Sequence, residues 1–252
     1  MRRLIFLICF FLPCLVWGQT NVLPSGMYGW KTPKTKAGKN ILSAVLFSGE
    51  VTDMSYLQMS ANTLQRSKQP TALKVPGNEE YLLLVKNGLL TLSFGDSTWK
   101  IGGGSVAVLV PGQIFKVQNT LGGECSYYLM KYRSKLPPSK DAAGSLVRDW
   151  NKLPFNKHER GGVRRYFDRQ TPMCKKLAMH VTTLNEGLKS HDAHMHRDDE
   201  IILVISNKTE MQIGNSYHKG GTGDIYYLAS NVPHAIQNIG KDSAVYFAFH
   251  FQ

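Results

Sequence analysis

The stretch His194-Met195-His196-Arg197-Asp198-Asp199-Glu200 puts two imidazoles and a carboxylate close together, and a further histidine, His234, follows later. Read as a strand, His194, His196 and Glu200 share one parity, so their side chains are expected to point into one space, because successive side chains alternate. Imidazole nitrogens and a carboxylate oxygen suit a divalent transition metal. No thiolate biases the set toward soft metals, so manganese, iron, cobalt, nickel, copper and zinc all remain candidates. Three histidines and one glutamate fill four positions and leave a six-coordinate metal two for water, substrate or oxygen. Such openness is the mark of a catalytic site.

Neighbouring residues carry two readings each. Lys189, His191 and Arg197 flank the stretch and can hold a substrate carboxylate, or lie in a solvated loop. His180 sits in an alternating run and reads first as a core histidine satisfied by packing. In Ala244–Phe251, alternation sets Tyr246, Ala248 and His250 on one face, for packing first and pocket lining second. Arg164 and Arg165 either contact a substrate or pair with acids. Asn207-Lys208-Thr209 has the form of a glycosylation sequon and reads better as a tight turn.

The elements that must position these residues are short β-rich runs. Residues 81–85, 105–110, 201–205, 224–228 and Ala244–Phe251 are rich in β-branched and aromatic residues. Turn chemistry at 86–88, 102–104 and 219–221 separates such runs. The spacing predicts an all-β chain built as an antiparallel sandwich or barrel. Only residues 140–150 read as helix. The chain also repeats itself: Leu57, Met59, Thr63, Leu64, Glu80, Leu83 and Asn87 recur 120 positions later, and Gly104, Asn119 and Tyr127 recur 119 positions later. One architecture used twice follows, with a first domain at 19–137, a connector at 138–150 and a second domain at 151–252.

On these residues the second half resembles the cupin superfamily. Gly187, His194-x-His196, three residues and Glu200 match its first motif, and Gly223, His234 and Asn238 match its second. Six residues rather than five follow Gly187. Asn207 and Asn231 stand where glycines are usual, and Ala229 stands for a proline. Asn tolerates the left-handed backbone angle that makes glycine useful there. The resemblance implies two tandem jelly-roll barrels, a bicupin, and it carries His194, His196, Glu200 and His234 over as ligands of one divalent metal. By the repeat, the first half has Lys74, Pro76, Glu80 and Phe115 at those places. Lys74 is expected to pair with Glu80 while Phe115 fills the barrel, leaving the first half a structural unit that packs on the second or helps form a homodimer.

Composition bounds the partners. With 252 residues, 42% of them hydrophobic, the chain can bury a sizeable core. Arg2, Arg3 and the apolar run 4–16 read as a signal peptide cleaved after Gly18, since a span needs roughly 20 apolar residues. A secreted or periplasmic location with no stable membrane anchor is the expectation. Cys9 and Cys14 leave with that leader, and Cys125 and Cys174 read as separate buried thiols or one disulfide. Losing Arg2 and Arg3 takes the net charge from +12 to +10, which favours an anionic small molecule. The basic residues are dispersed, without the stripe and interleaved aromatics a nucleic-acid surface needs. The expected function is a metal-dependent enzyme acting on a small, oxygen-rich anion such as an oxo-acid or uronate. The competing class is a non-catalytic sugar- or acid-binding protein with a structural metal.

Overall fold

The computed structural model describes residues 21–121 and 123–252; the signal peptide expected at 1–18 lies outside the described residues. The described chain is all-β apart from a single 3-10 turn at Trp150–Lys152. In the first half, a seven-stranded sheet runs from Leu146–Arg148 through Val106–Leu109, Glu80–Asn87, Ser126–Ser134, Met54–Leu64 and Ile41–Gly49 to Thr35–Gly38. It shares an apolar core with a four-stranded sheet that includes Thr71–Lys74 and Ile114–Gln118. The second half repeats the plan. Its seven-stranded sheet is centred on Asp199–Ser206, Ala244–Phe251 and Leu177–Leu184, and its three-stranded sheet is Ser216–Gly220, Thr209–Ile213 and His234–Asn238. Every pairing between these strands is antiparallel, the jelly-roll style that alternation predicts.

Strand parity explains how one run serves two cores. Along Asp199–Ser206, Ile202 and Val204 point toward the three-stranded sheet, while Ile201 and Leu203 point the other way. That second face meets its counterpart from the first half, so the large sheets pack back to back through Tyr128, Met130, Tyr132, Phe247, Phe249 and Phe251. An N-terminal strand and the segment between the halves add edges to these sheets. Gly26–Tyr28 pairs with Ile225–Leu228 of the second half, and Leu146–Arg148 pairs with Val106–Leu109 of the first.

The helix expected at 140–150 does not form. Gly144 interrupts the run, and Leu146 and Val147 add an edge strand to the first-half sheet, where Leu146 is buried. Tertiary pairing overrides a weak local preference. Cys125 and Cys174 are both buried and unbonded, and they belong to different apolar clusters.

The repeat is real, but its register changes earlier than identity implies. Met59 faces Met130 as Met179 faces Phe249, which keeps the shift of 120 in that strand. In the next strand Tyr81 faces Leu109 and Lys131, while Glu200 faces Leu228 and His250, so the counterpart of Glu200 is Tyr81. Glu80 corresponds to Asp199 instead. The left-handed turn residues agree: Gly88 with Asn207, Gly95 with Gly214, Gly104 with Gly223 and Gly112 with Asn231 all have positive φ. Asn207 and Asn231 thus adopt the backbone angle expected of them.

Candidate metal centre

The donors reach one another from three separate elements. The segment carrying His194 and His196 is not a strand. It is an irregular turn pinned by one bridge, in which His194 and His234 exchange backbone hydrogen bonds of 3.1 and 2.9 Å. The strand begins only at Asp199. Parity therefore does not aim the two histidines; the bridge to His234 does. Glu200 projects from the first turn of that strand into the second-half core, and His234 opens the strand His234–Asn238.

Glu200 is the hub. His196 Nε2 lies 3.2 Å and His234 Nε2 lies 3.0 Å from its Oε2, and His250 Nε2 lies 3.3 Å from its Oε1. The ring of His194 sits 4.7 Å from that of His234, centroid to centroid. Donor atoms of His194, His196 and His234 form one compact group, and those of His196, Glu200 and His250 form another, with His196 common to both. Burial alone would raise the pKa of Glu200, but the surrounding His196, His234 and His250 imidazoles outweigh it and hold the carboxylate well below its usual range. His196 is raised, chiefly by its hydrogen bond to Glu200. His194 is lowered, first by burial and then by the neighbouring imidazoles of His191, His234 and His196.

The hydrogen bonding shows that a cation fits here. His234 Nδ1 lies 2.8 Å from the Val232 carbonyl, and His196 Nδ1 lies 3.0 Å from the Asp198 carbonyl. A carbonyl only accepts, so each neutral ring carries its proton on Nδ1 and turns Nε2 toward Glu200 Oε2, where His196 makes a hydrogen bond only if it gains a second proton. His234 Nε2 is buried and, despite the 3.0 Å separation, has no partner in hydrogen-bonding geometry. Lone pairs from two imidazoles converging on a carboxylate oxygen repel unless a proton or metal lies among them. The backbone carbonyls also fix the ring orientations, as outer partners of metal-bound histidines do.

A cavity of about 400 Å³ opens beside this cluster. Six of the eight histidines of the chain line it, His196 stands in the adjoining cluster, and His218 lies on the strand Ser216–Gly220. Of the flanking residues, His191 reaches the cavity, with its ring edge-on to His194 at 4.1 Å. Lys189 stays at the rim, where its carbonyl accepts from Arg160. Arg197 turns away and pairs with Asp53 of the first half at 2.8 Å, because the two aspartates that follow it are already engaged by Lys176 and Thr52. Arg164 is half-buried over Trp150 and Phe155, away from the cavity, whereas the exposed Arg165 lines it.

His250 and His180 are the cavity residues whose reading changes most. Alternation does put Tyr246, Ala248 and His250 on the cavity face, so the signal for His250 was present in the pattern. What the pattern lacks is the cross-strand register that sets His250 directly opposite Glu200. His180 is a wall of the cavity, stacked on His250 at 6.0 Å, and not a core residue satisfied by packing. Burial, with His250 and Arg165 nearby, lowers its pKa to about 4.

Residues 180–250 match the family model for the cupin domain. The fold resembles several solved structures, among them a cupin 2 conserved barrel domain protein from Leptotrichia buccalis with a TM-score of 0.59 at 10% identity, covering 87% of this chain and 92% of that one. A putative glyoxylate-induced protein from Pseudomonas aeruginosa superposes with a TM-score of 0.72 at 15% identity, covering 96% of this chain and 93% of that one. The protein Ylba from E. coli gives 0.70 at 15% identity, covering 94% and 96%. Oxalate decarboxylase from Lactobacillus farciminis, solved as a formate complex, gives 0.66 at 11% identity, covering 90% and 86%. No curated protein matches the sequence. The match to the cupin domain lies in the second half, and the likeness to solved structures, which is one of fold, covers nearly the whole chain.

Proposed function

We propose that the chain is a bicupin of two tandem barrels, 19–137 and 151–252 around a connector at 138–150, and that its second barrel holds one divalent transition metal through His194, His196, Glu200 and His234. In this reading it is a secreted or periplasmic enzyme acting on a small, oxygen-rich anion, and the first barrel is structural. The observation that carries the reading is the convergence of imidazole nitrogens on Glu200 at the wall of an open cavity, with Nε2 of the buried His234 left without a hydrogen-bond partner. The likeness to an oxalate decarboxylase solved with formate supports a carboxylic acid as the substrate class.

When bound, the metal supplies Lewis acidity toward a carbonyl, carboxylate or hydroxyl oxygen of the substrate. His250, against Oε1 of Glu200, holds the carboxylate so that Oε2 faces the other imidazoles. His191 and His180 lie outside the four-ligand set and are the imidazoles that can take or return a proton at the substrate. The test strips the protein with a chelator, reloads it with each of the six candidate metals and offers oxo-acids, uronates and diketones. Turnover that appears only with metal is expected. Ligand binding that survives chelation, with no turnover under any metal, would make the protein a binding module instead.

A further inference from the structure

The cavity has a second polar feature opposite in character to the donor cluster. Alternation along Gly161–Arg169 puts Val163 and Arg165 on the cavity face, where both line it and Arg165 stays exposed to solvent. Glu200 is the sole carboxylate of the lining, and it is already surrounded by His196, His234 and His250. Of the two arginines at the cavity, Arg160 spends Nη1 on the carbonyls of Lys189 and Ser190, at 3.3 and 2.9 Å. Arg165 makes no side-chain hydrogen bond or ion pair among the described residues, although it can offer five donors in a planar fork.

Arg165 stands opposite His180, which stacks on His250 beside Glu200, so imidazoles link it to the cluster, and another part of the wall is apolar. Leu184 and Ile202 of the large sheet and Met211 and Ile236 of the small one contribute side chains that belong to the second-half core. A dicarboxylate as short as oxalate leaves that wall without a partner. A molecule with a hydrocarbon body covers it, and burial of each methylene is favourable.

We infer that the cavity is a binding site for amphipathic organic acids, with the carboxylate forked by Arg165, the apolar body on Ile202, Met211 and Ile236, and polar oxygen facing the His/Glu cluster. The inference deepens the proposed function and rests on its reading of the cavity as a substrate site. It also separates this site from one shaped for oxalate. Arg165 is assigned as the specificity-determining cation, a role that neither Arg197, paired with Asp53, nor Lys189, at the rim, can fill.

Calorimetry on zinc-loaded protein with pyruvate, 2-oxohexanoate and 2-hexanone tests each part, after zinc content has been measured. Affinity is expected to rise about fourfold for each methylene from pyruvate to 2-oxohexanoate, the ratio set by burying a methylene. The neutral ketone, lacking the carboxylate, is expected to bind about tenfold more weakly than 2-oxohexanoate or worse. Arg165→Gln should weaken 2-oxohexanoate about tenfold or more with zinc content unchanged, and Arg165→Lys should recover part of the loss because charge returns without the fork. Equal binding of pyruvate and 2-oxohexanoate, no binding of either, or indifference to Arg165→Gln overturns the inference. A protein that takes none of the six candidate metals refutes the metal reading separately, since Arg165-dependent binding of 2-oxohexanoate remains measurable without a metal.

Discussion

The two halves share one strand plan but fill the same topological positions with opposite chemistry. Leu73 pairs with Phe115 as His194 bridges His234, and Val75 accepts from the Gly112 amide as His196 accepts from that of Asn231. With Tyr81 opposite Lys131 where Glu200 stands opposite His250, the second-half donors have Leu73, Val75, Tyr81 and Phe115 as first-half counterparts. Val75, Tyr81 and Phe115 are buried in the first-half core and Leu73 packs against it. The proposed Lys74–Glu80 pair is absent: Lys74 is exposed, and Glu80 faces the other way, hydrogen-bonded to Tyr132 at the junction of the halves. A jelly roll of this kind can close its interior with apolar side chains or open it around convergent donors, and this chain does one in each half.

Mutations at equivalent positions should therefore read out in different currencies. The largest stability effect is expected at Phe115→Ala, about 3–5 kcal/mol lost by denaturant unfolding, because a fully buried aromatic leaves a cavity, while metal content per folded chain stays unchanged. Loss of metal in that variant would break the comparison. Next in size, His250→Ala should weaken metal binding about 10- to 100-fold in a competition titration, as loss of an outer partner does, whereas Lys131→Ala at the matching position should leave it unaltered.

A smaller effect concerns the matched acids at the junction. Asp199 accepts from Thr52, Tyr227 and Ser230, while Oε2 of the buried Glu80 has no hydrogen-bond partner. Burial raises the pKa of Glu80, so the folded state holds this proton more tightly than the unfolded chain. Its contribution is full below the unfolded value near 4.5 and is lost as pH rises through the folded pKa. Glu80→Gln should remove that decline and change stability by about 1 kcal/mol or less, seen as a flatter Tm against pH. An unchanged Tm profile would refute the assignment.

The sequence reveals the donors and the repeat more readily than their geometry. His194, His196, Glu200 and His234 stand out because residue types and spacing are local properties. The first-half counterparts do not, because the match of Glu80 to Glu200 hides a register change in the preceding loop, and a one-residue slip sends a side chain to the opposite face of a sheet. His250 illustrates the same limit: alternation gives its face, but only the pairing of Glu200 with His250 gives its neighbour. The edge strand Leu146–Arg148, in place of a helix, depends on a partner far away in the chain.

The central claim, one metal in the second half and none in the first, is tested most directly by elemental analysis of the purified protein beside His234→Ala. One equivalent of transition metal per chain in the parent, and almost none in a folded His234→Ala, is the predicted result. Two equivalents in the parent, or undiminished metal in the variant, would contradict it.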